Sequence, residues 1–189
     1  MTNKYKSILV SVAFLFFSCN YHEKSNTKEN AADSIEIKSL LQSVYKWHQA
    51  NSDRINDFPV IVKDSLQVGV DMQQVRSAID EMSRTNFFTG EFLKNYERTG
   101  LYADSMLKHG KYYNEENFAF QEADPWTFFQ DDAGNYYDSL VINDLMIQAD
   151  SASLKWAPKD APGDSYPVKL KHEKDGWKIN WLAGFDRDQ

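Results

Sequence analysis

The run Asp124-Pro125-Trp126-Thr127-Phe128-Phe129-Gln130-Asp131-Asp132 sets two to three carboxylates beside large aromatic rings. Desolvation by such rings and repulsion between like charges raise the pKa of one carboxyl, which general acid and base chemistry requires. Asp131 is the first catalytic candidate and Asp124 a second. A structural reading competes: Asp124 caps the turn that Pro125 begins, Trp126 and Phe129 fill the core, and Asp131 to Asn135 is a solvated turn. His172 is a third candidate, because on an alternating strand it shares a face with Val168 and Leu170. Paired with Asp131 it would act as a base with its orienter. A histidine satisfied by a backbone carbonyl at a strand end is the alternative.

Other chemistries find less support. His22, His48, His109 and His172 are too widely spaced for a zinc site, and the single cysteine supplies no thiolate pair. The acidic stretch from Asp131 to Asp138 carries a glycine and clustered oxygens, as calcium requires, but lacks the distal glutamate of an EF-hand. No phosphate-binding glycine loop and no Gly-x-Ser-x-Gly elbow occurs. The expectation is therefore no metal and no cofactor. Aromatic residues make up 14% of the chain. Most of the five tryptophans are expected in the core, while Tyr112, Tyr113, Tyr136 and Tyr137 near loop ends are candidates for a recognition rim.

The elements that must position these groups begin after an export signal. Lys4 and Lys6 precede an apolar run, Ile8 to Phe17, which ends at Cys19. The run is about half of the roughly 20 residues that a membrane-spanning helix needs, which fits a signal peptide over residues 1–18. Phe16-Phe17-Ser18-Cys19 resembles the bacterial lipobox, and that resemblance implies lipidation of Cys19 after cleavage before it. Each buried CH₂ of an acyl chain contributes about 0.8 kcal/mol, so several chains anchor stably. Removal of residues 1–18 takes two lysines and no acid, moving the net charge from −7 to −9. A chain this acidic, without a basic stripe, argues against a nucleic-acid partner.

Residues 19–33 are almost wholly polar and read as a flexible tether. Residues 34–186 read as a single domain. Asp33 with Glu36 resembles a capping box, and Ile37, Leu40, Leu41, Val44, Tyr45 and Trp47 repeat at helical spacing to about Asn51. Phe58 to Val62 is expected to be extended, with Pro59 excluding a helix interior. A second helix is predicted from Asp71 to about Asn86. A third, short one starts at Thr89 and stops at Gly100, with another turn or two before Gly110. Strand signals fill the last third: Val141 to Gln148, Ala152 to Ala157, Tyr166 to His172, and Trp177 to Leu182 after the hairpin turn Asp175-Gly176. Helices first and an antiparallel meander last define an α+β fold, with N-terminal helices packed on a curved antiparallel sheet.

That order, closed by Glu173-Lys174-Asp175-Gly176-Trp177-Lys178-Ile179-Asn180-Trp181, resembles the cone-shaped fold of nuclear transport factor two and its relatives, also called cystatin-like. Val44-Tyr45-Lys46-Trp47-His48 and the Asp124-Pro125 and Gln130-Asp131 pairs look like an uncharacterised family of bacterial exported lipoprotein domains on that scaffold. The resemblance spans about residues 35 to 182 and implies a cone whose mouth admits a small ligand. Tyr45, Trp126, Gln130, Asp131 and Trp177 are the binding residues it suggests. It also implies a bacterial envelope location, with the outer membrane favoured because Asn20 rather than aspartate follows the cysteine. Binding of a small molecule, glycan or protein partner is the first functional expectation. An isomerase, dehydratase or hydrolase using Asp131, His172 or Asp124 in the cavity is the second.

Overall fold

The structure, a computed structural model, describes residues 26–55, 57–110, 124–128, 136–163 and 165–186. Among the described residues three helices and two antiparallel sheets build an α+β fold, in the order α1 (Asn26–Ala50), β1 (Val60–Lys63), β2 (Leu66–Val70), α2 (Met72–Thr85), α3 (Gly90–Lys108), β3 (Leu140–Gln148), β4 (Ser151–Pro158), β5 (Tyr166–Glu173) and β6 (Gly176–Leu182). The strands β3 to β6 form a curved meander in sequence order, and β1 with β2 forms a separate hairpin. Helices on one face of such a sheet are consistent with the nuclear transport factor two-like layout.

In α1 the residues Ile37, Leu41, Val44, Tyr45 and His48 are buried, three to four apart except for the adjacent pair Val44 and Tyr45, which together make one stripe. The helix starts at Asn26, inside the segment expected to be a tether. Asp33 and Glu36 therefore lie within the helix and do not form the expected box at its start. They reach across to β6 instead: the Trp177 indole N–H donates to Asp33 Oδ1 at 3.0 Å, and the Trp177 backbone N–H donates to Glu36 Oε1 at 3.2 Å. Once the stripe from Ile37 onward is docked, each further residue toward the N-terminus adds one hydrogen bond to an existing helix, and Lys28, Glu29, Ala31 and Ala32 are good helix formers.

Asp71 caps α2 as predicted, accepting from the backbone N–H groups of Gln73 and Gln74 and from the Gln74 side chain. Asn86 ends the helix in the left-handed conformation, at φ 62°. Thr89 caps α3, its Oγ1 accepting from the Phe92 N–H at 3.1 Å. The expected stop at Gly100 does not occur, and α3 runs on to Lys108 before Gly110 at φ +63°. Gly100 is inside the helix because the Phe58 ring lies against it. A Cβ there would sit 3.0 Å from Phe58 Cδ1.

The inner face of the large sheet buries Ala152, Leu154 and Trp156 on β4, Val168 and Leu170 on β5, and Ile179 and Leu182 on β6. The edge of β6 is not left open. The segment Phe87–Thr89 pairs with it, the Ile179 N–H donating to the Phe87 carbonyl and the Thr89 N–H to the Ile179 carbonyl. This pairing brings the N-terminus of α3 beside the outer face of the sheet.

Candidate functional site

The turn at residues 124–127 is positioned by its own first residue. Asp124 Oδ1 accepts from the Trp126 N–H at 2.9 Å, and Oδ2 accepts from the Thr127 hydroxyl at 3.1 Å. Burial raises the Asp124 pKa, and those two hydrogen bonds oppose the rise. The capping reading of Asp124 is thus what the geometry displays. Trp126 is fully buried, packed edge-on against Phe185 with centroids 5.2 Å apart. The Pro125 carbonyl accepts from the Tyr166 hydroxyl, which in turn accepts from the Gly184 N–H at 2.9 Å.

A buried carboxylate that the sequence gives no reason to single out sits beneath this turn. Asp57, in the connector between α1 and β1, accepts from the Tyr96 hydroxyl on Oδ1 and from the Trp126 indole N–H on Oδ2, the latter at 2.7 Å. His48 of α1 stacks on the Trp126 ring with centroids 4.2 Å apart, and its Nε2 lies 4.0 Å from Asp57 Oδ2. Only 13% of the Asp57 side chain and 11% of that of His48 are exposed. Protein atoms crowd Asp57 so closely that burial pushes its pKa up to about 7 against the pull of the Tyr96 and Trp126 hydrogen bonds, with Asp124 adding repulsion. Burial lowers His48 to about 4. It also holds the Tyr96 hydroxyl well above its ordinary value, assisted by Asp57. No local signal marks Asp57 or Tyr96, because each sits among several other polar residues and becomes notable only through contacts 39 and 69 residues away.

Among the described residues the remaining sequence-derived candidates do not converge. His172 is exposed near the end of β5, edge-on to Trp177 at 5.0 Å, far from a role inside the core. Trp177 is the clamp for α1 described above. Tyr45 is buried against Trp156, whose indole N–H donates to the Tyr45 hydroxyl at 2.8 Å. Asp131, Gln130 and Cys19 lie outside the described residues, as do Tyr112, Tyr113 and the loop proposed for calcium up to Asn135. Tyr137 is buried and does not contribute to a rim. Among the described residues no three His, Cys, Asp or Glu side chains are grouped to hold a metal ion.

The outer face of the large sheet carries a groove of about 740 Å³. Its floor is Ser151 and Ser153 of β4 with Lys169 and Lys171 of β5, and its wall is the first turn of α3, from Thr89 to Lys94. Lys171 is paired with Asp150 at 2.7 Å. Lys169 lies over the Trp181 ring, 4.4 Å from its centroid. Among the described residues neither Lys169 nor Lys94 pairs with a carboxylate. Two carboxylates, Glu91 and Glu173, line the same groove, and Glu173 is paired with Lys178 at 3.0 Å.

In comparisons with known proteins, no family model, no curated protein and no solved structure matches the chain. The class of protein is defined by its architecture: an α+β domain with helices on one face of a curved antiparallel sheet. No described helix is long and apolar enough to cross a membrane.

Proposed function

We propose that this chain is an exported, lipid-anchored protein of the bacterial envelope that acts by binding, and that its ligand is an acidic, hydroxyl-rich molecule such as an acidic glycan. The observation that carries the binding reading is the 740 Å³ groove, where Lys94 and Lys169 are free of carboxylate partners beside the hydroxyls of Ser151 and Ser153. Lysines not paired with a carboxylate attract an anion at low cost, since no ion pair has to be broken, and serine hydroxyls both donate to and accept from sugar hydroxyls. Export and the anchor rest on the signal layout and on Cys19.

The test has two arms. Mass spectrometry of the mature N-terminus is expected to find a diacylglyceryl-modified Cys19, and Cys19→Ser is expected to abolish the modification; an unmodified chain retaining residues 1–18 refutes the anchor. For binding, a titration with glucuronate oligomers is expected to move the backbone amide resonances of Ser153 and Lys169. Lys94→Glu with Lys169→Glu should weaken that binding at least tenfold. Amides that stay still, or affinity indifferent to the charge reversals, refutes the groove as the ligand site.

A further inference from the structure

His48 and Asp57 are a base and an acid buried side by side, and among the described residues no lysine or arginine accompanies them. The groups that face them are Tyr96 from α3 and Asp124 from the turn at 124–127, and neither supplies a positive charge. Among the described residues no lysine or arginine pairs with either member; Arg54, on the same connector as Asp57, points out to Glu81 at 2.9 Å. An imidazolium and a carboxylate at 4.0 Å, too far for a direct hydrogen bond, would both lose hydration without the contact that compensates a buried ion pair. The uncharged pair avoids that cost. In it the neutral imidazole lies flat on the Trp126 ring, and the carboxylic acid keeps Oδ2 as the acceptor for the Trp126 indole, which can only donate.

We propose that folding moves one proton from His48 to Asp57, so that the pair is charged in the unfolded chain, neutral in the folded one, and takes up no net proton in the process. The consequence is a compensating device. Burial shifts the acid upward and the base downward, to about 7 and about 4, so between those values the folded pair holds one proton. The unfolded pair also holds one between the ordinary values of a carboxylate and an imidazole. Over their common range the two slopes of stability against pH are opposite and cancel. A protein facing a variable external medium gains a core whose stability this pair leaves indifferent to acidity, although each member alone would make it strongly pH-dependent.

The experiment is urea unfolding from pH 4 to pH 8 on the full chain and on two variants, His48→Gln and Asp57→Asn. Relative to wild type, His48→Gln leaves an acid of raised pKa. Its stabilising effect is complete below the unfolded carboxylate value and is lost as pH rises toward 7, so the unfolding constant should climb about tenfold per pH unit. Asp57→Asn leaves a base of lowered pKa, and its unfolding constant should fall about tenfold per unit as pH rises from about 4 to about 6.5. Variants whose profiles parallel the wild type overturn the proposal. Should either variant fail to fold, carbon-13 NMR of the wild type decides: the Asp57 carboxyl is expected to ionise near pH 7 with His48 neutral at pH 5.5. An ionised Asp57 facing a protonated His48 at that pH overturns it equally.

Discussion

Trp126 does at one residue what few side chains can: its ring is a floor for His48 and its N–H is a donor for Asp57. Trp126→Phe keeps most of the apolar contact and removes the donor. Leaving a buried carboxyl oxygen unsatisfied costs about 1–3 kcal/mol. The expected outcome is a lower urea midpoint at unchanged slope, with Asp57 ionising at still higher pH; an unchanged midpoint shows that the bond contributes nothing. Tyr45 and Trp177, which the resemblance placed among binding residues, serve packing, each spending its polar atoms on another part of the core or on α1. Their types were right for either role. A tryptophan or tyrosine has an apolar body and one polar tip, and sequence alone does not say whether that tip meets a ligand or a neighbour.

At the level of elements, both ends of α2 and the cap of α3 were legible, while the start of α1 and the end of α3 were not. Asp71 and Thr89 begin their helices as their side chains dictate, because an N-cap acts within three residues. Thr89→Ala is expected to cost about 1 kcal/mol, read from chemical denaturation, since it removes the cap of α3 and the Thr89 bond to Asn180 that ties this cap to β6. Gly100 was misread as a stop because glycine ends helices when it can turn left-handed, whereas here its missing Cβ makes room for Phe58, a contact from 42 residues away in the chain. Gly184 shows the same logic more severely. A Cβ there would lie 1.9 Å from the Pro125 carbonyl oxygen, so the 124–127 turn must move to admit one. Gly184→Ala is expected to destabilise by about 3 kcal/mol, of the order found for overpacked cores, and to broaden the Trp126 resonances; a variant as stable as wild type would place that turn elsewhere.

For the molecule as a whole, the buried pair and the groove lie on opposite sides of the sheet. The His48–Asp57 pair belongs to the helix-covered side and the groove to the uncovered side. Changes in one should leave the other alone. Lys94→Glu with Lys169→Glu is expected to alter unfolding free energy by no more than about 0.5 kcal/mol per site, as exposed substitutions usually do, while removing ligand binding. A large loss of stability would mean that these lysines hold the fold. The β1–β2 hairpin exposes Ile61, Val62 and Leu66 to solvent. Val62→Thr there is expected to leave the thermal midpoint within about two degrees, because a side chain 63% exposed has little buried area to lose.

Periodicity and local chemistry determined the three helices and the strands β3 to β6, the inward faces of β4 and β5, two helix caps and the hairpin beside Asp175. Each of these depends on residues within a few positions of one another, and the alternation of a strand or the stripe of a helix is written directly in residue types. A register shift in β6, by contrast, turns Leu182 inward and Trp181 outward against simple alternation. Only the tertiary structure decided that α1 extends back to Asn26, that Gly100 lies inside a helix, and that Asp57, Tyr96, His48 and Trp126 share one buried network. Those outcomes follow from packing between segments distant in the chain, where desolvation sets the charge state of an acid and the neighbour across the core sets the room for a side chain.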